Sequence, residues 1–146
     1  LGYKPAHVAT VLSAMEGVTT EGTGTRVFAG ASYRSGGKTG TAQAVTIGQK
    51  DKYNAARMAE RQRDHALYSA FAPADKPQVA LAVIVENAGF GAASAAPIAR
   101  RVFDYLLQGR YPSEDDIRAT RLGQSGSPIG PFRPASEVEW PPAALR

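Results

Sequence analysis

Cysteine is missing from all 146 residues. That excludes disulfide staples and thiolate chemistry, and it leaves the redox compartment unread. Histidine is nearly missing: only His7 and His65 occur, with no acidic cluster around either, so neither a metal site nor a cofactor is expected. No apolar run reaches the roughly twenty residues of a membrane span, and Leu1-Gly2-Tyr3-Lys4 does not look like a signal peptide, so a soluble chain is expected. Clustered charge is missing too. The net charge of +4 comes from 17 basic and 13 acidic residues scattered together along the chain, a pattern of solvation rather than of nucleic-acid recognition.

What remains is small and apolar. Hydrophobic residues make up 43% of the chain, enough for one modest domain with a core and too many for wholesale disorder. Val8, Val11, Leu12 and Met15 recur at helical spacing and predict a helix over Pro5–Glu16. Pro5 suits its first turn, Gly17 its stop, and its apolar stripe must pack on a neighbour. His7 then lies in that first turn as a surface residue. Gly22-Thr23-Gly24-Thr25 meets neither glycine-rich phosphate spacing and reads as a linker, followed by one helical turn at Val27-Phe28-Ala29. Residues 48–64 are polar all round, which predicts an exposed excursion between strands, helical over Ala55–Glu60.

Ala66–Ala72 predicts a strand closed by Pro73. The turn Ala74-Asp75-Lys76-Pro77 leads into Gln78–Glu86, whose unbroken apolar run from Val79 to Val85 predicts an antiparallel partner buried on both faces. Ala95, Ile98, Ala99, Val102, Phe103 and Leu106 mark an amphipathic helix lying across the sheet. Ser94 would cap it, Pro97 would sit in its first turn, and Gly109 would end it, with Arg100, Arg101, Asp104 and Gln108 on the other, polar side. From Pro112 onward six of the ten prolines occur with no periodic apolar pattern, which predicts a mobile tail in which Ile129, Phe132 and Trp140 stay undocked. The expected fold is therefore α+β: an antiparallel sheet of about three strands with N- and C-terminal helices packed on it. Residues 1–111 form the domain portion and 112–146 the proline-rich tail.

The lightest stretch is Ser35-Gly36-Gly37-Lys38-Thr39-Gly40-Thr41-Ala42-Gln43, a strand of small and β-branched residues carrying one lysine, such as something else must approach closely. Lys-Thr-Gly belongs to the motif set of the penicillin-recognising serine acyltransferases. Together with Tyr53-Asn54-Ala55, Glu60-Arg61-Gln62-Arg63-Asp64-His65, Ser69-Ala70-Phe71-Ala72-Pro73 and Val85-Glu86-Asn87, it makes the chain resemble a known family from about Lys4 to Gly109. That family is the class B, elongation-specific penicillin-binding proteins, the penicillin-binding protein 2 type, and the resemblance is to the C-terminal part of their transpeptidase domain.

The resemblance implies a serine-type peptidoglycan D,D-transpeptidase that forms an acyl-enzyme with stem peptides and with β-lactams. Lys38 and Thr41 would be catalytic, the lysine as a fixed charge and the Thr41 N–H as half of the oxyanion hole. Thr39, Gly40 and Thr41 would bind substrate, the hydroxyls by its carboxylate and the glycine by leaving room for the acyl chain. Ser35-Gly36-Gly37-Lys38 matches the nucleophile motif Ser-x-x-Lys only in letters, because Gly-Gly before a strand cannot supply that motif's helical setting. No Ser-x-Asn occurs. Both motifs are thus expected N-terminal to Leu1, and the chain alone is expected to be inactive. The alternative is a non-catalytic module that senses β-lactams or binds the cell-wall machinery.

The resemblance also implies wall-elongation proteins as partners of the full-length enzyme and the periplasmic face of the inner membrane as its location, with an N-terminal anchor outside this chain. Asp64 and His65 are read as packing or strand-start residues rather than catalytic ones. Gln78–Glu86 would present an unpaired apolar edge, a route to self-association.

Overall fold

The computed structural model describes residues 2–45, 59–124 and 126–138. The fold is α+β. Strands β1 (Gly36–Ala42), β2 (His65–Ala72) and β3 (Val79–Val85) form an antiparallel sheet in the order β1-β2-β3. Helices α1 (Pro5–Thr20), α2 (Thr25–Phe28) and α3 (Gly91–Gln108) pack against it. The predicted excursion lies mostly outside the described residues, with Tyr53-Asn54-Ala55 and most of Ala55–Glu60. Its described end is a 3-10 turn, Glu60–Gln62, entered from an extended Ala59.

Register explains why β1 is so lightly built. Gly37 pairs with Ala70 and Thr39 with Tyr68, so the Tyr68 ring leans over Gly37. A β-carbon on Gly37 would stand 2.2 Å from the Tyr68 hydroxyl. On the other face, one on Gly36 would stand 2.4 Å from the Phe71 ring. The close approach expected of this strand is thus made, at these two positions, by its own neighbour. Tyr68 is completely buried, with Ala66, Ala70, Ala72, Ala95, Ala96, Ala99, Phe103, Val27 and Phe28 as the rest of the core.

Several elements depart from the sequence reading. Helix α1 runs past Gly17 to Thr20 because Thr19, buried, hydrogen-bonds the Ser35 carbonyl at 2.6 Å and ties this last turn to the start of β1. Its stripe of Val8, Val11 and Leu12 is exposed rather than packed, with no covering element among the described residues. Strand β3 is not buried on both faces: Val79, Leu81, Val83 and Val85 are half-buried while Ala80, Ala82 and Ile84 are exposed, since α3 covers only one side of the sheet.

Helix α3 begins at Gly91, with Phe90 rather than Ser94 as its cap residue, which puts Pro97 in the second turn. The Ser94 hydroxyl instead donates to the Ala88 carbonyl at 2.8 Å. The start is displaced because the chain there lies directly on the sheet. A β-carbon on Gly91 would fall 2.2 Å from the Leu67 carbonyl oxygen and 2.6 Å from that of Gly40. Gly109, in the left-handed region at φ 63°, ends the helix as expected.

The face that α3 buries is also turned from the expected one. Ala95, Ala99 and Phe103 are inside, but so are Arg100 and Asp104, while Ile98, Val102 and Leu106 are exposed. Burial of the two charges is feasible because they pair with each other and with further buried polar groups. Arg100 Nε lies 3.0 and 2.9 Å from the two Asp104 carboxylate oxygens, and Nη1 donates to the carbonyls of Val27 and Ala29, each at 3.1 Å. The Tyr33 hydroxyl completes the set, donating to Asp104 at 2.9 Å.

The segment from Pro112 onward, expected as a mobile tail, carries order through its described part, together with Arg110 and Tyr111. Strands β4 (Arg110–Tyr111) and β5 (Arg133–Pro134) pair antiparallel and bracket helix α4 (Glu114–Arg121). Ser113 caps α4 by accepting from the Asp116 N–H at 3.0 Å, and donates to the Ile129 carbonyl at 2.6 Å. Asp116 is buried and bound bidentately by Arg101, at 2.9 and 2.6 Å. Ion pairing and capping, not apolar periodicity, dock this segment, so a search for periodicity misses it. Trp140 lies outside the described residues, whereas Arg110 covers the Phe132 ring at 5.4 Å.

Two predictions follow from these contacts. The Tyr68 hydroxyl is buried without a hydrogen-bond partner, and burial pushes its ionisation up to about 12. The unfolded chain loses that proton near pH 10, so this contribution to stability is full below pH 10 and is lost as pH rises to about 12. Tyr68→Phe is expected to reduce the alkaline loss, leaving the part due to Tyr33, and to leave neutral-pH stability unchanged or raised by about 1 kcal/mol. Urea unfolding at pH 7 and pH 11 measures both; a clear loss at pH 7 would mean that the hydroxyl has a partner. Breaking the Arg101–Asp116 pair from one side, by Asp116→Ala, is expected to cost about 3–5 kcal/mol, and the double replacement Arg101→Met/Asp116→Leu distinctly less. Denaturation midpoints of the single and double variants decide it.

Candidate functional site

Strand β1 is an edge strand, flanked by β2 on one side and by no strand on the other among the described residues. Alternation along it assigns the side chains. Lys38 stands opposite Ser69, which in turn stands opposite Ala82. All three are exposed, on the face away from α3. Thr39, opposite Tyr68, belongs to the helix-covered face. A single groove can therefore receive both Lys38 and Thr39 only along the free edge of β1.

Each member of the triplet has a definite setting. The Lys38 ammonium donates to the Thr39 carbonyl at 2.6 Å and is otherwise open to solvent. The Thr39 hydroxyl lies 3.1 Å from the hydroxyl of Thr23, in the turn between α1 and α2. Thr41 is exposed, and Gly40 is half-buried with Gly91 behind it. A β-carbon on Gly40 would meet Leu67 at 3.4 Å, so the strand itself nearly tolerates a side chain there. Ser35 is 2% exposed and its hydroxyl has no hydrogen-bond partner. It is enclosed just before β1 and does not front the open face with Lys38.

Thr23 is the residue the sequence reading missed. It was read as linker because its motif lacks phosphate-binding spacing. The signal lies in the position of the hydroxyl, not in the glycines: Gly24 N–H donates to the Val18 carbonyl at 2.8 Å and the Thr25 hydroxyl to Gly22 at 2.8 Å, which turns the chain back toward β1. Asp64 and His65 lie at the start of β2. His65 opens β2 and its Nδ1 accepts the Asn87 N–H at 3.0 Å, while the Asp64 carbonyl accepts from Gly89 at 2.8 Å. His7 is exposed on α1. Among the described residues no three His, Cys, Asp or Glu side chains gather as metal ligands, and no helix is long and apolar enough to cross a membrane.

Similarity to known proteins points the same way. Residues 2–104 match the family described as penicillin binding protein transpeptidase domain. The peptidoglycan D,D-transpeptidase MrdA of Haemophilus influenzae is 48% identical over 91 residues, 62% of this chain and 14% of that protein. MrdA of Escherichia coli K12 is 44% identical over 88 residues, 60% of this chain and again 14% of the relative. The chain thus spans about one seventh of the curated relatives it matches. The crystal structure of Pseudomonas aeruginosa PBP2 in complex with WCK 5153 superposes with a TM-score of 0.58 at 38% identity, covering 72% of this chain and 20% of that one. A Helicobacter pylori PBP2, solved as a complex with MreC, shares the fold at a TM-score of 0.53 and 24% identity, over 70% of this chain and 18% of its own. An edge strand with Lys38, Thr39, Gly40 and Thr41 in order, on a sheet of this build and within a match of this length, leads to one statement: the chain belongs to the penicillin-binding protein transpeptidase domain family.

Proposed function

We propose that this chain serves as the C-terminal part of a serine-type peptidoglycan D,D-transpeptidase of the PBP2/MrdA kind and supplies one wall of its acyl-transfer groove. The observation that carries the reading is the exposed Lys38 on the free edge strand β1, inside the family match. In this reading Lys38 holds a fixed positive charge beside the attacking serine and eases the proton transfers of acylation. Thr39 and Thr41 offer hydroxyls to the carboxylate of a stem peptide or β-lactam, and the Thr41 N–H polarises the scissile carbonyl. Gly40 keeps the wall flat.

The nucleophile is then supplied by sequence outside this chain. Ser35 is no substitute, being enclosed. The full-length protein works at the periplasmic face of the inner membrane, where stem peptides are reached, and has wall-elongation partners. A partner of that kind is found with the H. pylori PBP2, which was solved in complex with MreC. Three uncovered apolar faces support a larger domain: Val8, Val11 and Leu12 on α1; Ile98, Val102 and Leu106 on α3; and Ile84 beside the free edge of β3. Surface of this kind marks contact with further protein.

Acylation by labelled penicillin tests the chemistry. In a full-length enzyme carrying this chain, Lys38→Ala is expected to slow acylation by about 100-fold or more, and the isolated chain should take no label. An unchanged rate removes Lys38 from the mechanism, and label on Ser35 overturns the reading. Sedimentation tests the exposed edge. The isolated chain is expected to self-associate through β3, and Ile84→Lys, a charge beside an unpaired edge, to return it to monomer. A wild-type monomer at high concentration would contradict this.

A further inference from the structure

We propose that residues 110–124 and 126–138 act as a strap that sets the position of Thr39, with Ser127 as a positioning residue working through the turn that carries Thr23. This inference rests on the function proposed above, yet the strap itself lies outside the family match, which ends at residue 104.

The contacts form a continuous line. Arg101 on α3 binds Asp116 through Nε and Nη2, and its Nη1 donates to the Gly126 carbonyl at 3.1 Å and to Pro97 at 2.9 Å. One guanidinium thus holds both α4 and the loop after it. The Ile129 N–H donates to Asp116 at 3.2 Å, closing the other side of that loop. Fixed between these points, the Ser127 hydroxyl faces the Arg26 and Val27 carbonyls, 3.2 Å from the latter. The same Val27 carbonyl accepts from the buried Arg100. Helix α2 is therefore gripped at its C-terminal carbonyls by the strap and by α3 together.

Helix α2 has only four residues and no side-chain cap, so by itself it resists displacement poorly. Its N-terminal side is the Gly22–Thr25 turn, from which Thr23 reaches Thr39 at 3.1 Å. Between strap and turn lies a cavity of about 490 Å³, lined by Thr23, Arg26, Ala92, Gly126 and Ser127 among others. With that space beside it, the turn is held from the strap side through α2 rather than by direct packing. Val27, Phe28 and the Arg100 bonds keep α2 in the core, so loss of the Ser127 bond loosens it slightly, and with it the hydroxyl pair that orients Thr39 for a carboxylate.

The test is a double-mutant cycle on acylation by a carboxylate-bearing fluorescent penicillin, in a full-length enzyme carrying this chain. Ser127→Ala is expected to weaken binding before acylation about threefold to tenfold, with the limiting acylation rate nearly unchanged. Ser127→Thr, which keeps the hydroxyl, should restore binding. In a Thr39→Ala background Ser127→Ala should have no further effect. An unchanged binding constant for Ser127→Ala, or an equal loss in both backgrounds, overturns the strap. Wild-type acylation by Thr39→Ala alone overturns the site reading instead, and the strap with it.

Discussion

Strand β1 lies where it does because hydrogen alone stands on the α-carbons of Gly37 and Gly91. Tyr68 fills the space over the first, and the carbonyls of Leu67 and Gly40 fill the space over the second. These two approaches press the strand between its neighbour and the start of α3. A side chain at either point would push the strand off the sheet or the helix off the strand. Everything attributed to the candidate site inherits its position from this squeeze, since Lys38 and Thr39 follow Gly37 directly and Gly40 touches Gly91.

Much of this was legible in the sequence because it depends on local rules. The β2–β3 hairpin follows from a turn between two apolar runs, and the end of α3 from a glycine able to enter the left-handed region. The family was legible for the same reason, since the resemblance rests on short runs of neighbouring residues. What periodicity could not show is which charges the fold would bury. Arg100 and Asp104 look like solvent-side residues on a helical wheel. They are inside because α2 presents two carbonyls and Tyr33 a hydroxyl at the right places, partners supplied from about seventy residues away in sequence. Once that polar stripe is satisfied, the helix turns and leaves Ile98, Val102 and Leu106 outward.

The segment beyond Gly109 shows the same limit from composition. Proline-rich, polar sequence usually cannot bury enough surface to offset its ordering entropy. Here order comes from a few strong contacts: a serine cap, three acids at the N-terminal end of a short helix, and one carboxylate bound bidentately by Arg101. Such contacts depend on pairs far apart in sequence, Arg101 with Asp116 and Ser127 with Val27, and no window of ordinary length contains them.

The candidate site combines both kinds of information. Alternation on a strand sends Lys38 and Thr39 to opposite faces, a handicap for two groups proposed to meet one substrate. An edge removes the handicap, since both faces of an edge strand border the same free margin. The two faces are nonetheless maintained differently. Among the described residues Lys38 is bonded within its own strand, to the Thr39 carbonyl, and is otherwise exposed. Thr39 is held from behind by Thr23, in a turn whose far side is fixed by the Arg100 and Ser127 contacts on α2. Under the function proposed above, the exposed charge eases proton transfer while the hydroxyl, oriented from behind, holds a carboxylate in place.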